Sequence, residues 1–266
     1  MSNGTSTDDL RFVIRSDQEG VATLTLNRPK QFNAMSEELL AALQAELDAI
    51  ATDDSVRVVV IAANGRAFSA GHDLKQMRSN PRQAYYDDLF ATCSRMMLTI
   101  HKLPQPVIAK VQGLATAAGC QLVAACDLAV AADSAQFATS GIRVGLFCST
   151  PAVPVSRAMG RKRALELLLT GEFIDAANAA DWGLINRAVP ADELDAAVQT
   201  LAESIVSKSA AAVASGKAMF YRQLEMGLEE AYAYAGSVMA CDMMNADAAE
   251  GIDAFIEKRA PVWSHR

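Results

Sequence analysis

Residues 21–26 (VATLTL) alternate in polarity and are rich in β-branched side chains, which predicts a strand with one buried face. Residues 12–15 read as its hairpin partner across 17–20. Asn27-Arg28-Pro29 breaks the run. Ser36 then caps a helix to about residue 50, with Leu39, Leu40, Leu43, Leu47 and Ile50 at helical spacing. Residues 56–62 (VRVVVIA) are almost continuously apolar, the pattern of a strand covered on both faces. Asn64-Gly65 turns the chain into a loop over 68–73, and a long helix follows over 81–101. Pro104 and Pro106 bracket a break before a short buried strand at 107–111. Residues 114–125 are small and apolar and start a helix. Strands at 128–132 and 136–139 complete this part.

Beyond residue 151 the period is helical: 161–170, 175–181, 192–207, 210–225, 228–245 and 248–259. One strand-like interruption, 184–189, ends at Pro190. The pattern divides the chain into an α/β core over 1–190 and a helical region over 191–266. Strand, small-residue loop and helix occur around 56–77 and again around 107–125, as expected of stacked ββα turns. A doubly wound nucleotide-binding fold is the alternative α/β reading. Neither G-x-G-x-x-G nor G-x-x-x-x-G-K-[ST] is present to support it.

Composition narrows the function classes. The 266 residues are 51% hydrophobic and 21% charged, enough apolar material for a sizeable core. The net charge of −7 and the lack of a dense basic cluster argue against nucleic acid as a partner; Arg161-Lys162-Arg163 reads as a solvated helix start. No apolar run reaches the roughly 18 residues of a membrane-spanning helix, so no membrane partner is expected. The polar, acidic opening MSNGTSTDDL resembles neither a secretory nor a transit segment. Five cysteines without C-x-x-C spacing read as reduced thiols and give an expectation of a cytoplasmic protein. With three histidines (His72, His101, His265) and no metal-ligand spacing, neither a metal nor a cofactor is expected. His101 reads as a helix-end residue and His265 as part of the tail.

Two loops after buried strands are made of small residues, Ser69-Ala70-Gly71 and Ala115-Thr116-Ala117-Ala118-Gly119. Free N–H groups at a helix start donate readily to negative charge. Two of them converging from separate loops make an oxyanion hole. On local sequence alone, the same residues also serve simply to allow close packing.

Six blocks carry a resemblance to a known superfamily. They are Leu26-Asn27-Arg28-Pro29-Lys30-Gln31-Phe32-Asn33-Ala34, Ala67-Phe68-Ser69-Ala70-Gly71-His72-Asp73-Leu74, Pro106-Val107-Ile108-Ala109-Lys110-Val111-Gln112-Gly113, Cys126-Asp127-Leu128-Ala129-Val130-Ala131, Leu169-Thr170-Gly171, and the tail from Gly251 to Arg259. In this order they resemble the crotonase (enoyl-CoA hydratase/isomerase) superfamily. The runs 113–122 and 145–151 and the ending 259–265 are similar to its enoyl-CoA hydratase domain-containing protein 3 branch, a mitochondrial set in animals. The resemblance implies a spiral of ββα units with a C-terminal helical trimerisation region, assembled as a homotrimer or a dimer of trimers. It implies an acyl-CoA thioester as substrate, CoA being part of that substrate. The thioester oxygen would lie between the backbone N–H groups of His72 and Ala118. CoA would follow Ala70, His72 and Leu74, with Lys30 near its nucleotide end. Phe255 and Lys258 of a neighbouring subunit would touch it.

The departures from the family pattern are specific. Hydratases of the superfamily carry one glutamate in a Gly-Gly-Gly-Cys-Glu-Leu type run, which reads here Ala117-Ala118-Gly119-Cys120-Gln121-Leu122. A second ends a Gln-Phe-Ala-x-x-Glu run, which reads here Gln136-Phe137-Ala138-Thr139-Ser140-Gly141. Gln121 and Gly141 therefore replace both acids, and neither exchanges protons near neutral pH. Hydration is expected to be weak, with Gln121 left to hold a water. The Ser-Ala-Gly-His-Asp string resembles a methylmalonyl-CoA decarboxylase of the superfamily that lacks the same glutamates, although it has a tyrosine where Cys148 stands here. Decarboxylation, thioester hydrolysis and acyl-CoA binding without turnover are the alternatives to enoyl-CoA lyase or isomerase chemistry. The His72 ring titrates in the useful range. Cys148 is either a pocket thiol or a buried inert one. Asp73 reads as a loop-fixing residue and Asp127 as structural. The many apolar positions of the helical region (Met219, Phe220, Leu224, Tyr232, Met239 and Met243) call for a partner surface; packing within one chain is the other reading.

Overall fold

A computed structural model describes residues 11–264. The strands are β1 (Val13–Gln18), β2 (Val21–Leu26), β3 (Val58–Ala63), β4 (Ala67–Ser69), β5 (Val107–Val111), β6 (Leu114–Thr116), β7 (Leu128–Ala132), β8 (Gln136–Ala138), β9 (Ile174–Asp175) and β10 (Arg187–Val189). The helices are α1 (Glu37–Ile50), α2 (Leu74–Ser79), α3 (Gln83–Lys102), α4 (Ala118–Ala125), α5 (Ser149–Ala158), α6 (Arg161–Thr170), α7 (Ala176–Asp181), α8 (Leu194–Val206), α9 (Ala210–Gln223), α10 (Leu228–Asp242) and α11 (Ala246–Glu257). The N-terminal opening and His265 lie outside the described residues.

Two sheets arise from one repeated chain path. A six-stranded sheet has the order β1-β2-β3-β5-β7-β10, and a four-stranded sheet has the order β4-β6-β8-β9. In the six-stranded sheet β2, β3, β5, β7 and β10 run parallel and β1 pairs antiparallel with β2; in the other, β9 pairs antiparallel with β8. β4, β6 and β8 are also parallel to one another. Each turn thus places a long strand in the first sheet and a short one in the second (β3 then β4, β5 then β6, β7 then β8). This is the expected spiral of ββα units, and it advances one strand per turn.

Hydrophobic pattern decides which face each element buries. Leu39, Leu40, Leu43, Leu47 and Ile50 form the fully buried stripe of α1, and Ser36 accepts the Leu39 N–H at 3.3 Å as its cap. They share one core with Leu24, Leu26, Ile61, Phe68, Met96 and Ile100. The opposite sheet face is a second core: Val58, Val60, Ile108 and Val130 pack against Leu194, Val198 and Ala202 of α8. The continuous apolar run of β3 is explained by this double cover.

Some boundaries differ from the sequence reading for local reasons. The first hairpin closes over Glu19 and Gly20, both at positive φ, so β1 runs on to Gln18, longer than expected, while β2 keeps its expected bounds. Residues 114–116 belong to β6, because short apolar runs fit strand and helix alike. The helix expected at the end of the unit 56–77 is α2, only six residues long, whereas the sequence reading has no helix at α5, which carries Pro154 within it. Arg161 does begin a helix, α6, as expected.

Candidate active site

The loop after β4 is fixed by a buried asparagine. Asn33 is fully buried; it accepts the Arg28 N–H at 2.8 Å and donates to Asn64 O and Ala67 O at 2.9 and 2.7 Å. Phe32 and Asn33 both take positive φ, tolerable for Asn and costly for Phe. Ser69 Oγ donates to Asn33 O at 2.9 Å. The neighbouring amides are then all committed. Ala70 donates to Phe32 O, Gly71 to Ser69 Oγ, and Asp73 to Met35 O. Met35 and His72 form a single parallel bridge, in which Met35 bonds to the residues flanking His72. The His72 N–H consequently faces away from Met35, and no acceptor meets it among the described residues. Asp73 caps α2 by accepting from Lys75 and Gln76 and lies 3.5 Å from Arg28, the loop-fixing role expected of it.

The second loop comes to the same place. Ala117 has φ 51 and ψ −119, the geometry of the first central residue of a type II′ turn, which suits glycine and strains alanine. Its N–H donates to Ala138 O at 3.0 Å. That twist sets the peptide plane leading into Ala118, the first residue of α4, whose N–H has no partner within the helix. Gly71 and Gly119 permit the contact between the loops. A Cβ at Gly71 would stand 2.8 Å from Ala117 Cβ and 3.1 Å from Ala118 N. A Cβ at Gly119 would stand 2.2 Å from Ser69 O. The backbone at 71–72 and the N-terminus of α4 are therefore in direct contact, each with an uncommitted N–H.

Side chains around this point are neutral and buried. The His72 ring packs edge-on to Phe90 of α3 with centroids 5.5 Å apart. Neither ring nitrogen has a hydrogen-bond partner among the described residues. Burial lowers its pKa from the ordinary 6.5, and the nearby Met35 backbone offsets only part of this without reaching hydrogen-bond geometry. Gln121, one turn along α4 from Ala118, is 3% exposed, and its Oε1 is buried without a partner among the described residues.

Thr116 and Ser140 hydroxyls meet at 2.7 Å and hold the turn 140–144 beside the start of α4. In that turn a Cβ at Gly141 would stand 2.6 Å from Leu146 O and 2.8 Å from Cys148 Sγ. Leu146 N also donates to Gly141 O at 3.0 Å. Cys148, at the start of α5, thus fills the space into which a side chain at 141 would point. Burial raises the Cys148 thiol pKa, and hydrogen bonding from the Gly141 backbone partly opposes the rise. Cys120 is buried beside it and pushed up to about 12.

Other expected residues lie at the periphery. Lys30 is exposed in the turn Pro29–Gln31, and Leu74 is exposed at the start of α2. Phe255 is 85% exposed on α11, which packs on α9, and Lys258 ends that helix at φ 56. These two are not part of the cluster formed by 69–73, 116–121 and 138–148. A separate cavity of about 1060 Å³ lies between α3, α4, α5 and α9. Gln121 reaches its wall, together with Met97, Leu98, Val153 and Phe220; His72 and Ala118 do not. No group of three or more potential metal ligands occurs among the described residues. No helix among them is long and apolar enough to cross a membrane.

A family model for enoyl-CoA hydratase/isomerase matches residues 16–266. The chain belongs to the enoyl-CoA hydratase/isomerase family. Its crotonase-type fold and its class, an enzyme of hydratase/isomerase type, follow from that membership. The human enoyl-CoA hydratase domain-containing protein 3, mitochondrial, is 46% identical over 247 residues, 93% of this chain and 82% of that one. The crystal structure of the human protein superposes with a TM-score of 0.93 at 45% identity, covering 95% of this chain and all of the other. An enoyl-CoA hydratase structure from Mycobacterium smegmatis gives a TM-score of 0.93 at 57% identity, with 95% and 98% covered. These relatives correct one expectation. The mouse, rat, frog, human and zebrafish proteins are all named mitochondrial, so the cytoplasmic location does not stand. Unpaired cysteines argue against an oxidising compartment but do not choose among reducing ones.

Proposed function

We propose that this enzyme binds an acyl-CoA with the thioester oxygen between the N–H groups of His72 and Ala118. The observation that carries the proposal is their contact: two uncommitted amides on touching loops, where the amides on both sides of His72 and that of Ala117 are bonded. As charge grows on the oxygen, both donors strengthen, and an enolate is stabilised more than the ground state. Ala70 and Leu74 line the path of CoA, and Lys30 meets its nucleotide end. His72 contributes its N–H, while its ring, neutral and packed on Phe90, shapes the wall. Gln121 positions a ligand oxygen or a water without transferring a proton.

The reaction is of hydratase/isomerase lineage, with slow hydration. Each positioned acid or base contributes about 10²–10⁴-fold, and both are replaced here, by Gln121 and Gly141. Decarboxylation of a malonyl-type thioester is the second reading, favoured by the same replacement, because it needs the oxyanion site and no base. Residues 191–266 form the assembly region. α8 of this region covers the sheet, while Phe220, Leu224, Tyr232, Met239 and Met243 are 52–74% exposed and available to other subunits of a trimer or dimer of trimers. Phe255 and Lys258 then reach a neighbour's CoA. Calorimetry with crotonyl-CoA and a malonyl-type CoA tests the core of this reading. Binding of a CoA thioester is expected, and no binding of either overturns it. Hydration of crotonyl-CoA at a rate comparable with a two-glutamate hydratase would overturn the roles given to Gln121 and Gly141.

A further inference from the structure

We propose that Ser69 is a positioning residue, whose hydroxyl holds the His72 N–H in register with that of Ala118. The proposal rests on the acyl-CoA reading above and deepens it. Ser69 ends β4, is fully buried, and acts through its neighbours. Its hydroxyl works in two directions. Oγ donates to Asn33 O at 2.9 Å and accepts the Gly71 N–H at 3.3 Å. The Asn33 side chain is itself bonded to Arg28, Asn64 and Ala67, so the hydroxyl stands on a fixed support. The rest of Ser69 faces the other loop. A Cβ at Gly119 would stand 2.2 Å from Ser69 O and 2.9 Å from Ser69 Cβ, which sets Ser69 directly against the residue after Ala118. One residue therefore adjoins both amide-bearing segments.

Gly71 makes such an anchor necessary. It sits at φ 88, and without a side chain both of its dihedrals have wide alternatives. A stiffer residue does not fit, because its Cβ would meet Ala117 Cβ at 2.8 Å. The peptide planes on either side of Gly71 are pinned instead. The plane before it is held by the Gly71 N–H on Ser69 Oγ, and the plane after it by the Met35 N–H on Gly71 O at 2.7 Å. The His72 N–H belongs to the second plane and points opposite to that carbonyl, as a trans peptide requires. With the first plane released, rotation about Gly71 is opposed by a single hydrogen bond, and the His72 N–H swings off the point it shares with Ala118. An oxyanion donor counts only where it is aimed at the oxygen, and a misplacement of about 1 Å costs on the order of 10²-fold in rate.

Infrared difference spectroscopy of bound butyryl-CoA, isotope-labelled at its thioester carbonyl, tests this directly. The saturated acyl group has no double bond to hydrate, so the complex persists, and hydrogen bonds to the carbonyl lower its stretching frequency. Binding to the wild type should move the stretch down. At saturating butyryl-CoA, Ser69→Ala should show roughly half of that shift or less. Ser209→Ala removes another buried serine hydroxyl, one that caps α9 and bonds to Asp247, and should keep the full shift. An undiminished shift in Ser69→Ala, or an equal loss in Ser209→Ala, overturns the proposal. If Ser69→Ala fails to fold, Ser69→Cys keeps nearly the same shape with a much weaker acceptor, and a full shift there overturns the proposal equally. Failure of the reading beneath looks different. A wild type that binds butyryl-CoA without any shift removes the thioester oxygen from the two amides, and one that does not bind it removes the acyl-CoA reading itself.

Discussion

Restoring the second acid by Gly141→Glu is expected to unfold the turn rather than rescue hydration. A Cβ at this position meets Leu146 O at 2.6 Å and Cys148 Sγ at 2.8 Å, both closer than real Cβ contacts. The sulfur can rotate away, but the carbonyl belongs to the backbone. Leu146 N is itself bonded to Gly141 O, so moving the carbonyl opens the turn. Overpacking costs about 1–3 kcal/mol and a lost hydrogen bond about 0.5–1.5, giving a destabilisation of roughly 2–4 kcal/mol. For a chain of this size that lowers the melting temperature by about 4–7 °C. Gly141→Ala already carries the offending Cβ and should show most of this loss. Thermal melts of both variants, with crotonyl-CoA hydration followed by the loss of enoyl absorbance, make the comparison. A Gly141→Glu protein that melts with the wild type and hydrates at least 100-fold faster would show that the turn is not closed as described.

Three further outcomes follow from the same geometry. Gly71→Ala would set a Cβ 2.8 Å from Ala117 Cβ and 3.1 Å from Ala118 N and so push the two loops apart, and turnover on the preferred acyl-CoA should fall about 10²–10³-fold; unchanged kcat in a folded variant would remove the paired amides from the oxyanion site. Ala117→Gly relieves a positive φ and should raise the melting temperature by about 1–3 °C, the gain of relieving strain less the entropy of glycine; a lower melting temperature would show the alanine to be unstrained. His72 is held below its ordinary pKa of 6.5 by burial, so below that pH the unfolded chain binds a proton that the folded one does not. Stability therefore falls as pH drops through 6.5 toward the folded pKa, and melts of His72→Leu between pH 8 and 5 should show a shallower fall than the wild type.

The parts of the fold legible in the sequence are those that side-chain pattern determines. The stripe of α1 and the double cover of β3 follow directly from apolar spacing, and both appear in the two buried clusters. The meeting of the two loops is carried by the main chain, and its strain is invisible in composition. Alanine at 117 gives no hint of a φ of 51, where glycine would have announced a turn. Asn33 offered a weak signal, since a polar residue able to adopt positive φ stands between Phe32 and Ala34, but its burial and three hydrogen bonds come from elements far apart in the chain. The loss of two glutamates was readable by motif, whereas the placement of the Cys148 sulfur over Gly141 needed the folded turn.

The placement of the helical region shows how few groups can fix an element that pattern leaves open. α9 has no fully buried residue, yet it forms one wall of the cavity reached by Gln121. Lys217 Nζ donates to Asp127 Oδ2 at 2.6 Å and to Ile100 O and Gln105 O at 2.8 and 3.0 Å. Tyr221 OH donates to the other Asp127 oxygen at 2.7 Å, and the Val107 N–H donates to Oδ2 at 2.6 Å. Asp127, expected from sequence to be structural, thus joins the end of α3, the start of β5 and α9. With side chains 7% and 12% exposed, both charges are desolvated, and removing either would strand the other at a cost of about 3–5 kcal/mol. The wall of the cavity reached by Gln121 is therefore held in place by this ion pair.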